Sequence, residues 1–120
     1  MKKIMIADDE EMIRKLVLAT LENEDYSILE ATDGKQALAI AQEEKPDLLL
    51  LDVNMPEKNG FEVCNALKSD PETKSIHIIM LTGQTKETDI KAGKRAGADD
   101  YFTKPFSPLS LLEKVGSVLD

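Results

Sequence analysis

At 120 residues the chain has the size of one domain, long enough to bury a continuous core without a disulfide or a metal staple. A formal net charge of −8, with 42% hydrophobic and 32% charged residues, describes a globular chain whose surface repels phosphate backbones and anionic lipid, so nucleic acid and membrane are poor partners. The single cysteine, Cys64, rules out an internal disulfide and reads as a small buried apolar side chain.

The chain opens on Met1-Lys2-Lys3, but the apolar run 4–7 is stopped by Asp8-Asp9, too short for a secretory signal. That run instead reads as a first strand. Ile13, Leu16, Val17, Thr20 and Leu21 then share one helical face. A second strand is expected over 26–31, and a second helix after Gly34, with Ala37, Leu38, Ile40 and Ala41 as its apolar stripe. The run 47–51 contains four consecutive leucines and reads as a strand buried on both faces. Phe61, Val63, Cys64 and Leu67 mark a third helix, closed by Ser69-Asp70-Pro71. A fourth strand is expected over 76–81, then a weak helix over 86–95 with few large apolar residues and a glycine inside it. Gly93 costs about 1 kcal/mol relative to Ala in a helix interior. The last unit is a strand over 98–103 and a helix carrying Leu111, Leu112, Val115 and Leu119, opened by Ser107 as N-cap and Pro108 at the first helical position. No run is long enough to span a bilayer, and a cytoplasmic location is the expectation.

Five strand-then-helix units predict an α/β doubly wound, five-stranded parallel sheet with helices on both faces, in the flavodoxin-like order 2-1-3-4-5. Functional residues of such a sheet gather at the carboxyl ends of its strands, near the switch point. Asp8-Asp9, Asp52, Thr82-Gly83 and Lys104-Pro105 stand at those ends. Two carboxylates about 5 Å apart repel by roughly 3 kcal/mol at an effective dielectric of 20. Three carboxylates are balanced by Lys104 together with one divalent cation. With oxygen donors and no His or Cys within reach, the cation expected is Mg²⁺, or Mn²⁺ in its place. An aspartate can attack phosphorus and form an acyl phosphate, with cations and hydrogen-bond donors carrying the charge of the transferred group. Asp52 would be the nucleophile. Lys104, the Thr82 hydroxyl and a backbone N–H, with Gly83 the candidate, would hold phosphoryl oxygens.

Asp8-Asp9, Asp52-Val53-Asn54-Met55-Pro56 with Gly60, Thr82-Gly83 and Tyr101-Phe102-Thr103-Lys104-Pro105-Phe106 together resemble the receiver domains of two-component response regulators, in order and in spacing. The resemblance covers essentially the whole chain, with no departure at the core positions, and implies a single CheY-like receiver domain over 1–120. It implies that Asp52 is the phosphoacceptor. Asp9 ligates the metal directly, Asp8 directly or through water, and the Asn54 backbone carbonyl is a further ligand. Lys104 contacts the phosphoryl group, Thr82 is the switch hydroxyl, and Tyr101 turns inward as Thr82 is drawn to the phosphate. The Lys104–Pro105 peptide is expected to be cis. Asn54 and Gln84 occupy positions that tune hydrolysis in relatives. The implied donor is a sensor histidine kinase or a phosphotransfer protein. The receiver of the signal is an unnamed downstream protein or output domain, and homodimerisation stays open. The domain would be a switch, not an enzyme with an external substrate. It would catalyse only its own phosphorylation and dephosphorylation.

Plainer readings stand beside these. Asp8 or Asp9 could cap the first helix, Asp52 a turn, and Tyr101 could pack at the sheet edge with its hydroxyl in water. Glu10, Glu11 and Arg14 read as a solvated helix face with an i,i+4 pair. Asp99-Asp100 reads as a solvated turn, and His77 as a structural or surface-exposed residue, not a phosphoryl relay. The weak fourth helix suggests that the face formed by the fourth helix, fifth strand and fifth helix moves on phosphorylation. On that basis Gly93→Ala is expected to stabilise the protein and to damp switching. Three other functions compete. An Asp-nucleophile phosphatase of the haloacid-dehalogenase type wants Asp-x-Asp at the end of strand 1, not a doublet. A flavin binder wants a Ser/Thr- or Gly-rich loop where Asp8-Asp9-Glu10-Glu11 stands. A degenerate receiver acting only as a binding module would not need the acidic triad, Thr82 and Lys104 intact.

Overall fold

The computed structural model describes residues 1–83 and 87–120, with only the backbone described for 87–89. Five strands, β1 (Lys2–Ala7), β2 (Tyr26–Ala31), β3 (Leu48–Asp52), β4 (His77–Thr82) and β5 (Asp100–Thr103), alternate with five helices. The helices are α1 (Glu11–Leu21), α2 (Gly34–Glu44), α3 (Gly60–Lys68), α4 (Glu87–Ala96) and α5 (Pro108–Leu119). All strand pairs are parallel and the order is β2-β1-β3-β4-β5, as the sequence predicts.

The unalternated apolar runs have a simple cause. Successive side chains of a strand point to opposite faces, and here both faces are covered. Met5, Leu49, Leu51, Ile78 and Met80 meet Ala37, Ala41, Val63, Cys64 and Leu67 from α2 and α3. Ile4, Ile6, Leu48, Leu50, Ile79 and Leu81 meet Val17, Leu21, Leu111 and Val115 from α1 and α5. The four leucines of β3 are fully buried, each contributing roughly 1.5–3 kcal/mol over an exposed position. This central strand, buried along its whole length, therefore carries Asp52 at its carboxyl end.

Caps fix where the helices begin. Asp33 accepts from the Gln36 N–H at 2.7 Å, and Asn59 forms a reciprocal capping box with Glu62. Ser107 caps α5 ahead of Pro108, as expected, with Ser110 closing the box. α1 has no side-chain cap: Asp8 Oδ1 instead accepts the Glu10 N–H at 2.9 Å, upstream of the helix.

The loop after β3, which carries Asn54, is pinned from both sides. Gly34 at the start of α2 donates its N–H to the Pro56 carbonyl at 3.1 Å, and Gly60 donates to the Val53 carbonyl at 2.9 Å. A Cβ at Gly34 would fall 1.8 Å from the Lys58 carbonyl oxygen. Backbone must move to admit it, so Gly34→Ala should lower stability by about 1–3 kcal/mol, the usual cost of overpacking. Urea unfolding measures this, and an unchanged midpoint would show that the loop yields freely.

Two acidic residues depart from the expectation of a solvated turn. Asp99 accepts the Ile78 N–H at 2.8 Å and pairs with Lys68 at 2.7 Å, while Asp100 pairs with Lys114 of α5. They fasten the start of β5 to β4, α3 and α5.

Candidate functional site

β1, β3 and β4 end level with one another. Ala7 is paired with Leu51, Asp52 with Leu81, and Thr82 with Thr103. The residues that follow therefore converge above the carboxyl edge of the sheet. Asp8 is fully buried, Asp52 is 5% exposed and Thr82 is 4% exposed. Lys104 is positioned by its own backbone, whose N–H donates to the Thr82 carbonyl at 2.7 Å, and by the cis Lys104–Pro105 peptide that the resemblance implied. Its Nζ lies 2.7 Å from Asp8 Oδ2, 3.1 Å from Asp52 Oδ1 and 3.5 Å from Glu10 Oε1.

The electrostatics follow from this bridge. Burial pushes the Asp52 carboxyl up to about 6, and the Asp8 charge adds to the rise. Lys104 and the backbone N–H of Asn54 pull the other way without cancelling it. For Lys104, burial favours the neutral amine. Asp8 and Asp52 outweigh it and hold the ammonium above its ordinary range.

A divalent cation fits the donors present. Carboxylate oxygens of Asp8, Asp9 and Glu10 lie within 4.8 Å of one another, a hard-oxygen set. Asp8 Oδ2 is buried and, beyond its ion pair with Lys104, has no hydrogen-bond partner among the described residues. A buried anionic oxygen so placed has unused acceptor capacity. Asp52 lies outside that 4.8 Å group, and its Oδ1 accepts from Lys104. Asn54 is exposed on the loop after β3, and Gly83 is exposed with open space around its Cα. Gln84 lies outside the described residues.

Two expectations about neighbouring residues are corrected. Arg14 makes no i,i+4 pair with Glu10. Its guanidinium donates to the Asp8 carbonyl at 2.8 Å and pairs with Glu30 of β2 at 3.4 Å. The i,i+4 pair on α1 is Glu11–Lys15, and Glu10 faces Lys104 instead. An arginine fork reaches the buried Asp8 carbonyl and a carboxylate together, which one exposed helix pair cannot match. Glu10 is the site residue that the sequence reading left on a solvated helix face; adjacency to the Asp doublet was the one signal available.

The reading of Tyr101 with its hydroxyl in water is also corrected. Tyr101 is half-buried, and its hydroxyl donates to the Ile90 carbonyl of α4 at 2.9 Å, so it is not left to water. A Cβ at Gly93 would lie 2.6 Å from Tyr101 Cε1. The gain in helix propensity from Gly93→Ala is thus set against a steric conflict that the sequence does not disclose.

A family model described as the response regulator receiver domain matches residues 4–116. The chain belongs to the response regulator receiver family. Receiver domains are signalling switches of two-component systems. This receiver is 44% identical over 118 residues to the alkaline phosphatase synthesis transcriptional regulatory protein PhoP of Bacillus subtilis, covering 98% of this chain and 48% of that protein. It is 40% identical over 119 residues to PilH of Pseudomonas aeruginosa, covering 99% of this chain and 98% of PilH. The chain spans about half the length of the transcriptional regulators it matches, 48% of PhoP and 52% of Pseudomonas aeruginosa PhoB. Among solved structures, the chemotaxis response regulator CheY4 of Vibrio cholerae superposes with a TM-score of 0.92 at 39% identity, covering 99% of both chains. The Mn²⁺-bound form of response regulator Rcp1 superposes with a TM-score of 0.83 at 30% identity, covering 98% of this receiver and 91% of that chain. No helix among the described residues is long and apolar enough to cross a membrane.

Proposed function

We propose that residues 1–120 form one receiver domain that takes a phosphoryl group onto Asp52 from a phosphohistidine of a sensor kinase or phosphotransfer protein in the cytoplasm. The observation that carries the reading is the Lys104 ammonium held between two buried carboxylates, 2.7 Å from Asp8 and 3.1 Å from Asp52, at the carboxyl edge of the sheet. Such a bridge places a cation beside the nucleophile, where the negative charge of the incoming group must be met.

The residues divide the work as follows. An Asp52 oxygen attacks phosphorus, the P–N bond to the donor imidazole breaks, and the imidazole leaves with the electron pair and takes a proton from water. Lys104 pairs with one phosphoryl oxygen, leaving Asp52 Oδ1 as the acyl phosphate forms. The Thr82 hydroxyl and the Gly83 N–H donate to the others. Asp8, Asp9, Asp52 and the Asn54 carbonyl would hold Mg²⁺, with Mn²⁺ an acceptable replacement; the hard-oxygen cluster of Asp8, Asp9 and Glu10, and a buried Asp8 Oδ2 partnered by Lys104 alone among the described residues, support the Asp8 and Asp9 part of that set. The bound cation supplies positive charge that lowers the repulsion between carboxylates and incoming phosphate. The drawing of Thr82 towards the new phosphoryl group then frees Tyr101 to turn, and the face of α4, β5 and α5 changes shape for a downstream protein, an output domain or a second copy.

Incubation with acetyl phosphate, followed by intact-protein mass measurement, tests this. The natural sequence should gain one phosphoryl group in Mg²⁺ and none in EDTA, and Asp52→Asn should gain none. A gain that survives in Asp52→Asn would move the acceptor elsewhere. No gain from acetyl phosphate or from a phosphohistidine donor would leave a receiver fold used only for binding.

A further inference from the structure

In the β4–β5 ladder Tyr101 stands opposite Met80, and Thr82 lies two residues further along β4, on the same face of the sheet. The Tyr101 side chain packs against the core layer that includes Cys64, Met80 and Ala96, and its hydroxyl reaches the Ile90 carbonyl on α4 at 2.9 Å. What admits the ring is the missing side chain at Gly93. A Cβ there would lie 2.6 Å from Tyr101 Cε1, 3.0 Å from its hydroxyl oxygen and 3.2 Å from Cζ. Contacts that short are not tolerated in a packed interior, and the end of the tyrosine ring yields before helix backbone does.

We infer that Gly93 and the Ile90 carbonyl form a seat for the Tyr101 ring, and that this seat holds the unphosphorylated domain in its resting state. The inference rests on the switch role proposed above for Thr82 and Tyr101. The seat couples two features that otherwise look unrelated. The glycine that weakens α4 as a helix is also the notch that the aromatic occupies. Leaving it forfeits a hydrogen bond and a ring-on-backbone contact, so the seat sets the free-energy difference that phosphorylation must overcome. Gly93 is thus a positioning residue acting through Tyr101, remote from the acidic pocket.

The seat makes Gly93→Ala an activating change, opposite to the outcome that helix propensity alone predicts. The chain has two tyrosines, so fluorotyrosine labelling gives two fluorine resonances, with Tyr26 at the start of β2 as internal reference. Without phosphate, the Tyr101 resonance of Gly93→Ala should lie displaced from the natural protein towards its position after treatment with acetyl phosphate and Mg²⁺. The unfolding midpoint supplies a second readout. Gly93→Ala should lower it in the natural background and raise it in a Tyr101→Ala background, where the conflict is gone and only propensity remains. A Tyr101 resonance that coincides with the natural one, or a midpoint shift of the same sign in both backgrounds, would overturn the seat. If Gly93→Ala moves the resonance but phosphorylation of the natural protein does not, the seat stands and the switch role of Tyr101 falls.

Discussion

Lys104→Met should destabilise the protein in EDTA by roughly 3 kcal/mol and should all but abolish phosphorylation from acetyl phosphate. Methionine keeps most of the packing of the lysine stem and removes only the ammonium. Asp8, with no exposure, and Asp52, with 5%, then face each other without the charge that separates them. Breaking a buried ion pair by removing one partner costs ~3–5 kcal/mol. The lower end applies because Lys104 retains 14% side-chain exposure and because Asp52 can escape by taking a proton. That escape has a chemical consequence. Asp52 already titrates at about 6, and losing a neighbour that lowers its pKa moves it higher still. Near neutral pH a growing share of the protein would carry a protonated, non-nucleophilic Asp52. Excess Mg²⁺ should return much of the lost stability, because it replaces the missing positive charge, but not the phosphorylation rate, because the contact proposed for Lys104 to a phosphoryl oxygen is still absent. Removing one such preorganised contact costs about 10²–10³ in rate. Urea unfolding with and without Mg²⁺, and the rate of phosphoryl gain by intact mass, give the two numbers. Equal stability in EDTA for Lys104→Met and the natural protein would mean that the bridge contributes nothing to the resting pocket.

The strand order and the convergence of Asp8, Asp52, Thr82 and Lys104 were legible because both depend on local pattern. Four leucines running into an aspartate can hardly be anything but a buried strand with its acid at the carboxyl end, and a parallel sheet brings such ends together. β1 begins at Lys2, two residues before its apolar run, because backbone pairing with Tyr26 and Ser27 extends a strand where hydrophobicity gives no sign. What the sequence withheld is choice among long-range partners. Arg14 had Glu10 one helical turn away yet takes the Asp8 carbonyl and Glu30. Asp99 and Asp100 look like any acidic turn until Lys68 and Lys114 arrive from α3 and α5. Gly93 is the sharpest case. Its helix-weakening effect can be read from one residue, but the ring that fills its notch comes from the next strand, so propensity alone leaves out the steric conflict that its replacement would meet.

Asp52→Asn should stabilise the metal-free protein, and the gain should depend on pH. Asp52 titrates at about 6 in the folded protein, chiefly because burial penalises its charged form and Asp8 adds repulsion. In the unfolded chain an aspartate titrates near 3.9. A folded-state pKa above the unfolded one means that the native protein holds the proton more tightly. The carboxyl therefore costs nothing below about pH 4, and stability falls as pH rises from about 4 to about 6 before levelling off. A rise of roughly two pKa units corresponds to about 3 kcal/mol at most by pH 7. Asparagine never ionises, so its advantage should be near zero around pH 4 and approach that figure around pH 7, less whatever Lys104 loses in its second partner. Mg²⁺ reverses the comparison. It favours the ionised carboxylate, so the natural protein should gain more from the cation than Asp52→Asn does, and the two unfolding midpoints should draw together or cross. Urea titrations at the two pH values, in EDTA and in excess Mg²⁺, read all four states. A pH-independent difference in EDTA would mean that Asp52 is not carrying the cost of its own burial. Taken with the mass measurement, the predicted pattern would identify the acceptor as a carboxylate that the fold keeps uncomfortable until a cation and a phosphoryl group arrive, which ties the instability of the resting pocket directly to its reactivity.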